Sequence, residues 1–300
     1  MTKTFDKESN FSYEMLEKDF STCREQFLNE SGLIPEGKEL FVHLVDEHKK
    51  FTPYLSPEIG VGQQRMLFEK DYLIAIYDLV SSEIAEFSKK HYKKDIEICR
   101  LVANSILYCS FLHEFVHFIR NHHECLKSLE FEDNIATKLV ELDADTIAAC
   151  MLWDFIRNTS ISREMKVMAL VMGVRGQFEI IHRYFQKEQL ESAYGLPPIS
   201  RSYIALSNAA SAPYFDDFKL PIEVLIKLLE IEIELFNSSV AADVVEAECM
   251  SDTHLWHENR HLINKFAHSS FQKPTFFYKS MSKKRKMIGS LHNMINQMKL

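Results

Sequence analysis

Between residues 94 and 121 the chain has neither glycine nor proline and is apolar over most of its length. A stretch with no turn residues predicts one long buried helix, or two helices broken near Asn104 and Ser105. Its C-terminal part reads His113-Glu114-Phe115-Val116-His117. On a helix, residues four apart share a face one turn apart, so both imidazoles can reach a single ion while Glu114 stands beside it. The pattern H-E-x-x-H recurs as His257-Glu258-Asn259-Arg260-His261, and the two copies have to be told apart. A helix lying under a metal needs apolar residues between and behind its ligands, because an unpaired buried charge is costly. Phe111, Leu112, Phe115, Val116, Phe118 and Ile119 meet that need in the first copy, whereas Asn259 and Arg260 do not in the second. His113 and His117 are therefore the expected ligands. His254, His257 and His261 read as a polar helix stripe near Trp256.

The chain has 8 glycines and 8 prolines in 300 residues, too few for a turn-rich fold. Helical spacing recurs at residues 11–31, 134–158, 162–189, 222–236, 240–248 and 286–298, and a β-branched, aromatic strand pattern at 40–45. Residues 66–80 suit either a hairpin or the start of a helix. The expected fold is mainly α (α+β), with a small antiparallel sheet upstream of the HExxH helix. A boundary near residues 196–200 divides it into a domain over 1–200 and a helical C-terminal subdomain over 201–300.

A net charge of −8 argues against a general nucleic-acid binder, and the basic run from Lys283 to Lys286 reads as a solvated helix face. No apolar leader or membrane-length run is present, so no membrane partner is expected. The six cysteines, Cys23, Cys99, Cys109, Cys125, Cys150 and Cys249, are scattered and read as reduced core residues, which fits a cytoplasmic protein.

Catalytic zinc usually has three protein ligands and one open position. His123 has the spacing of a third histidine ligand, but that arrangement needs glycine at position 120, where this chain has Arg120. Glu141, in Glu141-Leu142-Asp143-Ala144-Asp145, lies 24 residues beyond His117, which leaves room for a loop and a returning helix. Ala144, Ala148 and Ala149 are small enough for two helices to approach closely. Asp145, on the same face as Glu141, is placed to accept the remaining N–H of His113. The competing reading of this segment is a solvated acidic turn of an ordinary amphipathic helix.

With HEFVH followed by ELDAD, the chain resembles the gluzincin zinc metallopeptidases, in particular soluble HtpX-like peptidases and, more loosely, the IrrE and ImmA type of regulatory protease. Leu196-Pro197-Pro198-Ile199-Ser200-Arg201 is similar to a downstream H-P…R element of the HtpX-like enzymes, with Leu196 where that element has histidine. Chain length and His122 are similar to the Lit family of phage-exclusion peptidases. Motif-level resemblance spans residues 105–150. It implies a zincin-like helical core and a zinc-dependent endopeptidase acting on a protein in the bacterial cytosol. The Lit-like resemblance implies phage defence through cleavage of a translation factor, elongation factor Tu. In this reading His113, His117 and Glu141 hold zinc, Glu114 is the general base, and Asp145 orients His113. An oxyanion donor comes from His182, Tyr184, Tyr194 or Arg201, with Arg201 and His182 foremost, while His122 and His123 are polar capping or surface residues. Two other classes stay open: a zincin-fold regulatory or binding protein without turnover, and a helical interaction protein whose HEFVH is accidental.

Overall fold

The computed structural model describes residues 11–30, 34–46, 52–56, 60, 62–92, 95–129, 133–157, 159–184, 198–211, 220–221, 223–236 and 242–267. In chain order the elements are α1 (Tyr13–Glu30), β1 (Glu39–Val45), β2 (Tyr54–Leu55), β3 (Gln63–Glu69), α2 (Lys70–Leu79), a π-helical turn (Val80–Ile84), α3 (Ala85–His91), α4 (Asp95–Arg120), α5 (His122–Ser128), α6 (Asp133–Arg157), α7 (Arg163–Tyr184), α8 (Pro198–Ser211), α9 (Glu223–Glu234) and α10 (Ala242–Asn264). The fold is mainly helical, with a small sheet upstream of the HExxH helix, as the sequence leads one to expect. The helix expected at 286–298 and the basic run at 283–286 lie outside the described residues.

The run without glycine or proline is the unbroken helix α4. From Leu101 to His113 every residue is buried, and Leu101, Val102, Ala103, Ile106, Leu107, Phe111 and Leu112 have almost no exposed surface. Its polar residues have local partners. Ser105 and Ser110 donate their hydroxyls to the carbonyls of Leu101 and Ile106 at 2.8 and 3.0 Å. Asn104 does not break the helix; its amide donates to Asp19 Oδ2 at 3.0 Å, and Arg100 grips the same carboxylate at 2.8 and 2.7 Å, docking α1.

Helices α6 and α7 pack along α4. A Cβ at Gly173 of α7 would stand 2.9 Å from the Ser105 carbonyl oxygen and 2.7 Å from Leu152 Cδ2, so the close approach of α7 to α4 requires glycine there. The core is continuous from Leu16 in α1 to Ile263 in α10. Of the boundary expected at residues 196–200, 196 and 197 lie outside the described residues and 198–200 begin α8, whose Ile199, Ile204, Ala205 and Leu206 belong to that same core. Pro198 opens α8, where its missing N–H costs nothing.

The sheet has the order β1-β3-β2 and is mixed. The expectation of an antiparallel sheet holds only for β2 on β3; β1 and β3 are parallel, from Glu39 opposite Gln63 to Val45 opposite Glu69. Parallel strands need a crossover, and residues 46–62 supply it while also carrying β2. Residues 66–80 form no hairpin: β3 ends at Glu69 and runs straight into α2, so the helix start holds from Lys70 onward. Among the described residues no helix is long and apolar enough to cross a membrane.

Candidate metal centre

Helix spacing puts His113 and His117 on the face of α4 that meets α6. Their Nε2 atoms lie 3.0 Å apart. From α6, Glu141 reaches both, with Oε2 3.1 Å from His113 Nε2 and Oε1 3.5 Å from His117 Nε2. Ligand atoms of the three residues all fall within 4.8 Å of one another, and among the described residues no other trio of potential metal ligands is so grouped. The second HExxH forms no such group. In α10 it is Trp256 that enters the core, while His261 is exposed and its ring contacts the Glu258 carbonyl at 2.8 Å.

The far nitrogen of each imidazole is occupied. His113 Nδ1 stands 2.8 Å from Asp145 Oδ1, approached off the N–H axis, so this is a pairing of charge rather than a linear hydrogen bond. His117 Nδ1 meets His122 Nδ1 at 2.9 Å, and His122 Nε2 in turn meets Asp143 Oδ2 at 3.1 Å. Two Nε2 atoms and a carboxylate thus converge on one point. Groups that close need a proton or a cation among them. Two imidazole nitrogens and one carboxylate form a donor set that zinc uses.

The electrostatics point the same way. Burial alone would disfavour a charged His113, but Asp145 and Glu141 outweigh it and push its pKa up to about 10. Burial likewise opposes ionisation of Glu141, yet His117 and His113 hold its carboxyl well below the usual range. A field that retains a proton on a buried imidazole favours a divalent cation in the same place.

Glu114 lies beside the trio, its Oε1 3.9 Å from His113 Nε2. Burial raises its pKa against the pull of the two histidines. Its Oε2 accepts the backbone N–H of Leu55 at 2.9 Å. The next residue, Ser56, donates its N–H to Arg65 of β3 at 2.7 Å, so Leu55 sends its own donor outward, away from the sheet and onto the HExxH helix.

Arg201, in the first turn of α8, places Nε 2.6 Å from Asp145 Oδ2 and a terminal nitrogen 3.3 Å from Glu141 Oε2, with its guanidinium carbon 4.4 Å from the centre of the Phe178 ring. The structure thus brings His113, Glu114, His117, Glu141, Asp145 and Arg201 together. His182, in the last turn of α7, joins none of the hydrogen bonds and ion pairs of this cluster, and Tyr184 is half exposed. Tyr194 and Leu196 lie outside the described residues. His123 is exposed, as expected of a surface residue.

The expectation for His122 is overturned, since it is 1% exposed and bridges His117 to Asp143. Asn121 adopts the left-handed conformation, φ 55°, and ends α4 without a glycine, so the chain turns His122 back under His117. Sequence reasoning also passed over Asp143. Its carboxylate accepts from Arg120 at 2.9 and 3.3 Å, from His122, and from the Trp256 indole at 3.0 Å. Burial opposes its ionisation, but Arg120 and His122 hold it far below the ordinary aspartate range. The available signal was an acidic residue between Glu141 and Asp145 on a helix with few exposed positions.

No protein-family model, curated protein or solved structure matches the chain.

Proposed function

We propose that this chain is a zinc-dependent endopeptidase of the gluzincin kind, with His113, His117 and Glu141 holding the ion and Glu114 as general base. The supporting observation is the convergence of two Nε2 atoms and the Glu141 carboxylate beside a fourth, separately held carboxylate. A bound divalent cation would supply Lewis acidity toward a scissile carbonyl and lower the pKa of water.

Glu114 would take a proton from the attacking water and deliver it to the leaving amine. Burial raises its pKa, the direction that suits a group which first accepts a proton and then releases it. The Leu55 N–H occupies Oε2 and leaves Oε1 toward the ligand trio. Asp145 and Arg201 support His113 and Glu141 from behind. Arg201 is engaged by carboxylates, so in this reading it positions the ligands rather than binding an oxyanion.

The substrate class comes from the HEFVH and ELDAD resemblance; its narrowest form, a bacterial cytosolic peptidase that cleaves elongation factor Tu in phage defence, comes from the Lit-like resemblance in chain length and His122. Purified parent protein should bind one zinc per chain, His113→Ala should lose it, and Glu114→Gln should keep it. N-terminal profiling of bacterial cells expressing parent or Glu114→Gln protein, with and without phage challenge, should then give new termini with the parent alone. Zinc binding with identical termini in both would leave a non-catalytic metal scaffold and sink the peptidase reading. Absence of zinc binding would sink both.

A further inference from the structure

An imidazole that binds a metal must turn a bare nitrogen to it, here Nε2 on both rings, and something must keep the proton on the other nitrogen. For His113 that is the Asp145 carboxylate. For His117 it is another imidazole. The Nδ1 atoms of His117 and His122 lie 2.9 Å apart, with ring centroids 4.8 Å apart and planes at 84°. A contact between two ring nitrogens holds one proton, and geometry alone leaves its owner undecided.

The owner is set one residue further out. His122 Nε2 faces Asp143 Oδ2 at 3.1 Å, and that carboxylate already accepts from Arg120 and Trp256. An ionised carboxylate only accepts, so the His122 proton sits on Nε2. A neutral ring protonated there has a bare Nδ1. The shared proton then belongs to His117 Nδ1, and His117 Nε2 is left bare toward His113 and Glu141.

We propose that His122, backed by Asp143, is a positioning residue that locks His117 in the tautomer whose Nε2 can bind a metal. The inference deepens the metal reading of His113, His117 and Glu141 and rests on it. It also makes the two ligands unequal: a carboxylate backs His113 directly, whereas a neutral imidazole backs His117 and relays the carboxylate behind it.

Two near-isosteric substitutions separate this role from a merely structural one. Asn at position 122 keeps an acceptor where Nδ1 stands and gives up the Asp143 bond. Gln keeps a donor where Nε2 stands and gives up the acceptor. The full chain, labelled with 15N-histidine and free of metal, is examined by long-range 1H–15N correlation, and zinc affinity is measured by chelator competition. The parent should show His117 protonated at Nδ1, and His122→Asn should retain that tautomer and most of the affinity. His122→Gln should lose the tautomer preference and weaken zinc binding by about 10–100-fold, the usual effect of losing a group that orients a ligand.

A structural role predicts the reverse order, with Gln better than Asn because it keeps the bond to Asp143. That order, or an unchanged His117 tautomer in His122→Gln, overturns the inference. Zinc titration of the parent decides the metal reading separately, because the tautomer is read without metal.

Discussion

Removing the Asp143 carboxylate gives the sharpest test of how α4, α5, α6 and α10 are held around the site. Asp143 and Arg120 have side chains 1% and 3% exposed, and they meet at 2.9 Å. In Asp143→Ala the buried Arg120 guanidinium loses the carboxylate that accepts two of its hydrogen bonds, and the His122 and Trp256 N–H groups lose their acceptor. Breaking a buried pair by removing one partner costs about 3–5 kcal/mol, and each orphaned neutral donor adds about 1–3 kcal/mol before relaxation. These costs overlap, so we expect a loss of about 4–6 kcal/mol, a large part of the roughly 5–15 kcal/mol that a domain has. The assay is urea unfolding followed in parallel by far-UV circular dichroism and Trp fluorescence. In a cycle with Arg120→Met, the double variant should lose less than the sum of the singles, with a coupling of about 0.5–3 kcal/mol.

The pH dependence carries the same sign. Asp143 has a folded pKa depressed below its unfolded value of about 3.9, so its contribution is complete above that value and fades as pH falls toward the folded one. The parent should therefore lose stability below about pH 4, and Asp143→Asn should flatten that acid limb. A loss under about 1 kcal/mol in Asp143→Ala, far below the buried-pair range, or strict additivity with Arg120→Met, would refute the reasoning.

Gly173→Ala should destabilise the chain by about 1–3 kcal/mol in the same assay, because the new methyl meets the backbone oxygen of Ser105 in α4, which cannot swing aside. Leu55→Pro removes an N–H that points away from the β ladder, so the edge strand should tolerate it. If Glu114 is the base, losing the donor that favours its ionised form should move the acidic limb of the pH–rate profile to higher pH. Zinc at 100 times its dissociation constant should stabilise the parent by about 2.7 kcal/mol, and a chelator should reverse this in thermal melts. His113→Ala should show neither effect.

Much of the site was legible because it depends on spacing within one helix. His113 and His117 share a face whatever surrounds them, and the apolar residues between them told the first HExxH from the second. Glu141 and Asp145 were likewise readable as one face of α6. The direction of β1 against β3 was not, because a strand pattern carries no record of its partner. Nor was His122: its burial follows from a left-handed turn at Asn121, an unusual conformation for a residue other than glycine.

The sequence by itself determined the long helices, the strand at residues 40–45 and the shared face of the two imidazoles. These are properties of chain spacing and side-chain size. Only the tertiary structure decided that β1 and β3 run parallel, that Arg201 turns onto Asp145 and Glu141, and that Asp143 gathers Arg120, His122 and Trp256. Each of those contacts joins residues with no fixed spacing, and it exists because burial leaves a polar group only the partner that the packing of other elements brings within reach.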